Sequence, residues 1–467
     1  MTALLAVLLA CLGPQAAPPG DAPPNVVLFL VDDMGWRDAG FQGSRYYETP
    51  HVDRLAAGGM VFTRAYSNGP NCAPSRASLM TGLYPPRHGI YTVGSPARGK
   101  ARERALIPVP NETVLAAEFV TLAEALAAAG YATAALGKWH LGPDPLEQGF
   151  QLNAGGNQTG SPRGGHFSPY ANPQLPDGPD GECLTDRLTD EAVGFIAEHA
   201  SEPFFLYVSH YAVHTPIESK PELSARYEAK EPDGGQDDPR YAGMIESVDQ
   251  SLGRVLDALA VHDLEGRTLV LFTSDNGGHG GVTSNAPLRG AKGMLYEGGI
   301  RVPFAVRWPG VVESGGRCAV PVAGHDLFPT LLEAAGVPVP DGLELDGVSL
   351  VPLLEGTGGV ERELLFWHFP AYLEAGRRAG VPWRTTPAGA VLRGDLKLLE
   401  FFEDGRLELY DLAADPGEER DLAGTRPELA AELHGELLAW RAAVGAPVPT
   451  EPNPAYDPEA GGSRDER

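Results

Sequence analysis

Two apolar runs, NVVLFLV (25–31) and TLVLFTS (268–274), each lead directly into acidic or amide side chains: Asp32 and Asp33 after the first, Asp275 and Asn276 after the second. A run of this length without polar alternation has no solvent-facing side, so each reads as a strand buried on both faces. YATAAL (131–136) and FFLYVSHY (204–211) have the same character. Helical patterns separate the runs: TLAEALAAAG (121–130), LTDRLTDEAVGFIAEHA, YAGMIESVDQSLGRVLDAL and HDLFPTLLEAAGV (325–337). Strands alternating with amphipathic helices predict an α/β fold with a large, mostly parallel sheet flanked by helices. The third and fourth runs also end in polar groups, Lys138 and His140 in GKWH and then His214. The C-terminal edge of such a sheet is where open α/β folds bind ligands.

The pattern changes near residue 360. AGAVLRGDLKLLEFFEDGRLELYDL holds two β-rich runs around Asp404-Gly405, a hairpin turn signal, and RPELAAELHGELLAWRAAV (426–444) reads as a terminal helix. The expected organisation is a leader and linker over 1–24, a catalytic domain over 25–360, a smaller C-terminal α+β subdomain with an antiparallel hairpin over 361–445, and a disordered Pro- and Gly-rich tail over 446–467. The leader core ALLAVLLACL has signal-peptide length, and LLAC at 8–11 is also compatible with lipidation of Cys11. Export is therefore expected, to a periplasmic, secreted or lipid-anchored location. No later run is long enough for a transmembrane segment. A formal net charge of −26 argues against nucleic acid as a partner, while leaving room for a local cationic pocket.

Asp32, Asp33, Asp275 and Asn276 come from two strand ends. If those strands are neighbours, the carboxylates repel one another unless a cation lies among them, and an all-oxygen set suits Ca2+ or Mg2+. The alternative for an acid pair after a strand is helix capping. Cys72, in NCAPSRASLMTG (71–82), stands two residues before Pro74 and four before Arg76, at or just before a helix start. That placement predicts an acidified thiol. In an exported chain such a thiol is buried and inert, paired, or converted to something else. Cys183 and Cys318 leave one further disulfide open.

CAPSRASLMTG resembles the signature of type I sulfatases, the formylglycine-dependent, arylsulfatase-like branch of the alkaline phosphatase superfamily. PNVVLFLVDDMGWRDAG, GKWHLG, HYAVHTP, TSDNGG and PLRGAKGMLYEGGIRVP are similar to further blocks of that family in the same order, over about residues 24–420. The resemblance implies a sulfuric ester hydrolase in which a maturation enzyme oxidises Cys72 to formylglycine, whose hydrated gem-diol is the nucleophile. It implies a calcium site of Asp32, Asp33, Asp275 and Asn276 with the modified Cys72 facing the metal. It implies that Arg76 holds the modified residue, that Lys138 contacts the diol or the sulfate, and that His140 helps to break down the intermediate. His214 and Lys292 are implied to grip the sulfate and to assist the leaving oxygen. The substrate implied is a sulfate ester, most often of a sulfated carbohydrate. In GFQLNAGGNQTGSP a further polar residue of the family has no clear counterpart, and that segment is expected to shape the pocket. His368, in FWHFP, is expected to be a packed spectator, the alternative being that it reaches the pocket.

Three other readings share these residues. A phosphonate monoester or phosphodiester hydrolase would use the same nucleophile and metal. A zinc phosphatase would need histidines at the acid cluster, which are lacking there. A non-catalytic glycan-binding protein on the same fold would not need the full reactive set.

Overall fold

The computed structural model describes residues 23–375 and 383–460. The expected leader core and Cys11 lie outside the described residues. An eight-stranded sheet runs in the order Gly316–Cys318, Met60–Phe62, Phe304–Arg307, Thr268–Ser274, Asn25–Val31, Phe204–Ser209, Ala132–Gly137, Leu152–Ala154. Neighbours are parallel except at Phe304–Arg307, which is antiparallel to the strands on both sides.

The unbroken apolar runs have the predicted cause. Val27, Phe29 and Val31 enter one core, with residues of the helices Leu184–Glu198 and Pro239–Val261. Val26, Leu28 and Leu30 enter a second core, with the helices Cys72–Thr81, Leu122–Ala128 and Leu327–Ala334. Alternate side chains point to opposite faces, so a strand covered on both sides must be apolar throughout. Thr121 and Glu124 close a capping box that starts the helix Leu122–Ala128.

The C-terminal part holds a four-stranded antiparallel sheet, Leu364–Phe369, Ala388–Arg393, Leu396–Phe401 and Leu407–Asp411. The expected hairpin joins the last two strands, with Gly405 in the left-handed region at φ 71°. The helix Pro427–Val444 covers one face through Leu433 and Leu437. The other face packs Leu365, Trp367 and Leu399 against Tyr66, Leu295 and Ile300 of the larger part. Beneath that contact lies a buried ionic cluster. Lys397 Nζ is 2.9 Å from both Glu297 Oε1 and Glu418 Oε1, and Tyr66 donates to Glu297 Oε2 at 3.0 Å. Glu297 is five residues after Lys292, so the small sheet anchors the loop that carries this lysine.

Three expectations meet the structure here. The chain after Ala446, expected to be disordered, is fixed as far as Ala460. Ile107 donates its amide to Glu451 O at 2.9 Å, and Asn453 donates Nδ2 to Ala101 O and Arg104 O, both at 2.8 Å. These partners satisfy backbone groups that composition alone assigned to water. Cys183 and Cys318 are unpaired. His368 is buried against Tyr91, Phe402 and Trp440 and bonds Pro447 O through Nε2 at 2.8 Å, as a spectator does. Among the described residues no helix is long and apolar enough to cross a membrane.

Candidate active site

Asn25–Val31 and Thr268–Ser274 are adjacent and parallel, with Val31 opposite Ser274, so both acid pairs emerge at one level of the sheet edge. Asp33 leaves its strand in the left-handed region, at φ 65°, and its amide donates to Asp275 Oδ1 at 3.1 Å. Asn276 donates Nδ2 to Asp33 Oδ1 at 2.9 Å. Lys138, one residue past the strand Ala132–Gly137, reaches Asp32 Oδ2 at 2.7 Å. His140 is also left-handed, at φ 63°. Non-glycine residues in this region are uncommon and gather at functional sites.

Cys72 is the first residue of the helix Cys72–Thr81, after Asn71 at the N-cap, and Gly82 ends the helix at φ 72°. Its Sγ lies 3.5 Å from Asp32 Oδ1 and 3.9 Å from Asp33 Oδ1. The expected acidification does not occur. Burial pushes the thiol up to about 12, with Lys138 and Lys292 pulling the other way and Asp32 and Asp275 adding to the rise. A protonated thiol is a poor nucleophile. One turn along, Arg76 is fully buried. It donates Nε to Asp275 Oδ2 at 2.9 Å, and Nη1 to Lys138 O at 2.9 Å and Ser209 Oγ at 2.6 Å. Arg76 thus ties together the acid cluster and two strand ends.

Lys292 places Nζ 2.7 Å from Asp33 and 3.4 Å from Cys72 Sγ. His214 donates Nδ1–H to Thr215 O at 2.7 Å and turns Nε2 towards Asp33 Oδ2, 3.8 Å away. His140 is buried, with Nδ1 lacking a hydrogen-bond partner among the described residues. Burial, joined by the charges of Lys138 and Arg76, keeps its ring neutral. Asn157 O accepts the His140 amide at 2.9 Å, and a Cβ at Gly160 would lie 2.5 Å from the ring. The 150–162 segment therefore closes over His140, and Gly160 permits the approach.

This arrangement has close relatives. The sulfatase family model matches residues 24–337, and a model described as N-sulphoglucosamine sulphohydrolase, C-terminal, matches 291–443. A sulfatase of Formosa agariphila is 34% identical over 91% of this chain and 90% of its own. The chain belongs to the sulfatase family. N-acetylgalactosamine-6-sulfatase of Mus musculus is 35% identical over 78% of this chain and 72% of its own. Among solved structures, Ps i-CgsB in complex with k-i-k-neocarrahexaose superposes with a TM-score of 0.73 at 29% identity, covering 90% of this chain and 92% of that one. The phosphonate monoester hydrolase of Agrobacterium radiobacter superposes at 0.68 with 25% identity, covering 90% and 96%. The sulfatase is accordingly a sulfuric ester hydrolase with the α/β architecture expected of it.

The donor set of this sulfatase fits a hard divalent cation. One ligand atom each from Asp32, Asp33, Cys72 and His214 lie within 4.8 Å of one another. Asn276 Oδ1 is buried without a partner among the described residues, leaving a donor oxygen free for a cation. Burial pushes Asp32 up to about 7 despite Lys138, with Asp275 and Asp33 adding to the rise. Asp33 is held far below the usual range, because Lys292, His214 and Lys138 together outweigh its burial. Asp275 differs from the simplest expectation, since Arg76 occupies its Oδ2 and the Asp33 amide its Oδ1. His214 was not expected among the grouped donors. Residues that the sequence did not single out also shape the site. Tyr207 and Ser209 hold Arg76, and Asp38 binds Tyr241, Thr283 and Gln236 at 2.7–3.0 Å, fastening the turn after Asp33. Their contacts span up to 245 residues of chain, and short local motifs do not report them.

Proposed function

We propose that this sulfatase hydrolyses sulfate monoesters of carbohydrates, using a formylglycine made from Cys72 and a calcium ion held by Asp32, Asp33, Asp275, Asn276 and residue 72. The observation that carries this reading is the placing of Cys72 Sγ between Asp32 and Lys292, at 3.5 and 3.4 Å, on the first residue of a buried helix. An unmodified thiol held protonated there has no evident task. Formylglycine would supply a hydroxyl nucleophile and the cation would supply charge neutralisation at the sulfate.

The chain's own groups then divide the work. Lys138 and Lys292 bind and neutralise sulfate oxygens in a site closed to bulk water, where such charges act most strongly. Arg76 fixes Asp275, whose carboxylate accepts a proton from residue 72. Lys292 and His214 lie towards the leaving oxygen; burial pushes the His214 ring down to about 3 against the pull of Asp33, so the ring rests neutral, and its Nε2 gives the leaving oxygen a proton only once the anionic substrate favours the charged form. His140, neutral through burial, accepts a proton from residue 72 as sulfate departs. Export through residues 1–24, which brings the chain to extracellular glycans, and a dedicated maturation enzyme for Cys72 belong to the same proposal.

The sugar preference is supported by the relative named N-acetylgalactosamine-6-sulfatase and by the structure holding a neocarrahexaose. The likeness to a phosphonate monoester hydrolase supports one competing reading. The deciding experiment compares kcat/KM on matched aryl sulfate, phosphonate monoester and phosphodiester substrates. The sulfate ester is expected to be preferred; a phosphonate preference would replace this proposal with the competing one.

A further inference from the structure

Arg384 lies on the rim of the site, outside the groups assigned above. It belongs to the short hairpin Leu373–Glu374 with Trp383–Thr385, where Glu374 pairs with Trp383 and Leu373 pairs with Thr385. Arg384 is thus the extra residue of a β-bulge. Bulges re-aim side chains and are frequent beside active sites. Here the guanidinium is turned to the loop of the sulfate-binding lysine and donates Nη1 to Lys292 O at 3.2 Å. Its stem lies on Gly293, where a Cβ would stand 2.7 Å from Arg384 Cδ. Gly293 has φ +92°, so both the turn and the close approach call for glycine.

The hairpin itself is clamped. Trp383 donates Nε1 to Glu103 O at 3.2 Å, packs its ring 4.8 Å from Tyr372, and covers Gly99, where a Cβ would lie 2.6 Å from the indole. Tyr372 in turn donates its amide to Pro96 O at 2.9 Å, which brings the 96–99 loop alongside. Arg98 is therefore near Arg384: burial pulls the Arg384 guanidinium below its ordinary range, the charges of Asp33 and Glu374 oppose that fall, and the charge of Arg98 adds to it. His279, three residues past Asn276, is near enough to feel the charges of Asp33, Arg384 and Lys292.

Among the described residues no carboxylate comes within ion-pair distance of Arg384 or Arg98. Glu374, the hairpin's own acid, is exposed and attracts the Arg384 guanidinium through space without an ion pair. Both arginines and His279 are half-buried. In a chain of net charge −26, two half-buried guanidinium groups beside the sulfate-binding lysine, bonded to backbone carbonyls and to no carboxylate among the described residues, suit an external anion.

We propose that Arg384, supported by Arg98 and His279, is a subsite for a second anionic group on the substrate, adjacent to the sulfate being cleaved. The substrate class is then a sugar unit or short glycan carrying two negative groups, the second being a sulfate or a carboxylate. This rests on the sulfatase reading above and goes further by naming the charge pattern of the substrate. Arg384 is a specificity residue. It has no part in bond breaking.

The test compares kcat/KM on three matched sugars: one sulfate only, the same sugar with a second sulfate, and the same sugar linked to a uronic acid. The wild-type enzyme is expected to favour one of the dianionic sugars about 10- to 100-fold, as befits one charge-assisted contact, and the favoured sugar identifies the second group. Arg384→Gln should collapse that ratio towards one, and Arg384→Lys should restore part of it. Dissociation constants for the same sugars in Cys72→Ala protein and in Cys72→Ala with Arg384→Gln should show the same loss without any turnover. Equal activity of the wild type on all three sugars would overturn the subsite. So would an equal loss on all three in Arg384→Gln, which would reduce Arg384 to a prop for the Lys292 loop. Dianion-selective binding in the absence of sulfate release would instead uphold the subsite and reject the hydrolytic reading.

Discussion

Lys397 Nζ and Glu297 Oε1 stand 2.9 Å apart with neither side chain exposed, and this contact joins the C-terminal sheet to the loop of Lys292. Glu418 completes the cluster from the far side, at 2.9 Å. Removing one partner of such a group leaves buried charge uncompensated, at a cost of about 3–5 kcal/mol. Lys397→Met should therefore lower the denaturant midpoint sharply. The triple variant Lys397→Met, Glu297→Gln, Glu418→Gln should recover much of that loss, because the one charge left there, Arg301, is partly exposed and keeps its bond to Thr63 O. Equal instability in the single and triple variants would show that packing, and not charge, governs this junction.

The cation site has a readout that does not depend on turnover. Asn276→Ala removes the orphaned buried oxygen, and Asp32→Ala removes a carboxylate facing Cys72. Both variants should bind calcium more weakly, and calcium should raise the wild-type melting temperature more than theirs. Full wild-type activity after chelation shown to strip the ion would contradict the assignment.

The leaving-group side can be separated from the nucleophile side. A sugar alkoxide needs a proton as it departs, and a nitrophenolate needs it far less. His214→Ala should cost a sugar sulfate about 10² to 10⁴-fold in kcat/KM and a nitrophenyl sulfate much less. Arg76→Ala should harm both alike, since Arg76 holds Asp275 and the strand ends. Equal losses on both esters for His214→Ala would leave that histidine as a binding group only.

The parts legible in the sequence are those encoded locally. Unbroken apolar runs announced the doubly covered strands, and the polar residues after them fell on one sheet edge because parallel strands share a direction. Pro74 and Gly82 framed the Cys72 helix as its geometry requires. Two local inferences failed for non-local reasons. A cysteine at a helix start reads as acidic, yet burial among Asp32 and Asp275 reverses the shift. A Pro-rich tail reads as disordered, yet the 101–107 segment supplies its hydrogen bonds. Arg384 gave no signal, because its partner Lys292 is 92 residues away and a bulge aims it there. His279 did carry one: a histidine among glycines just after Asp275 and Asn276.

The central claim concerns the chemical state of residue 72. Active enzyme produced together with a formylglycine-generating system should be digested, and the peptide containing residue 72 weighed. Replacing the thiol group of Cys72 by an aldehyde predicts a mass lower by about 18 Da, in a fraction that rises in proportion to sulfatase activity across preparations. Fully active enzyme whose residue 72 is entirely unmodified cysteine would contradict the account.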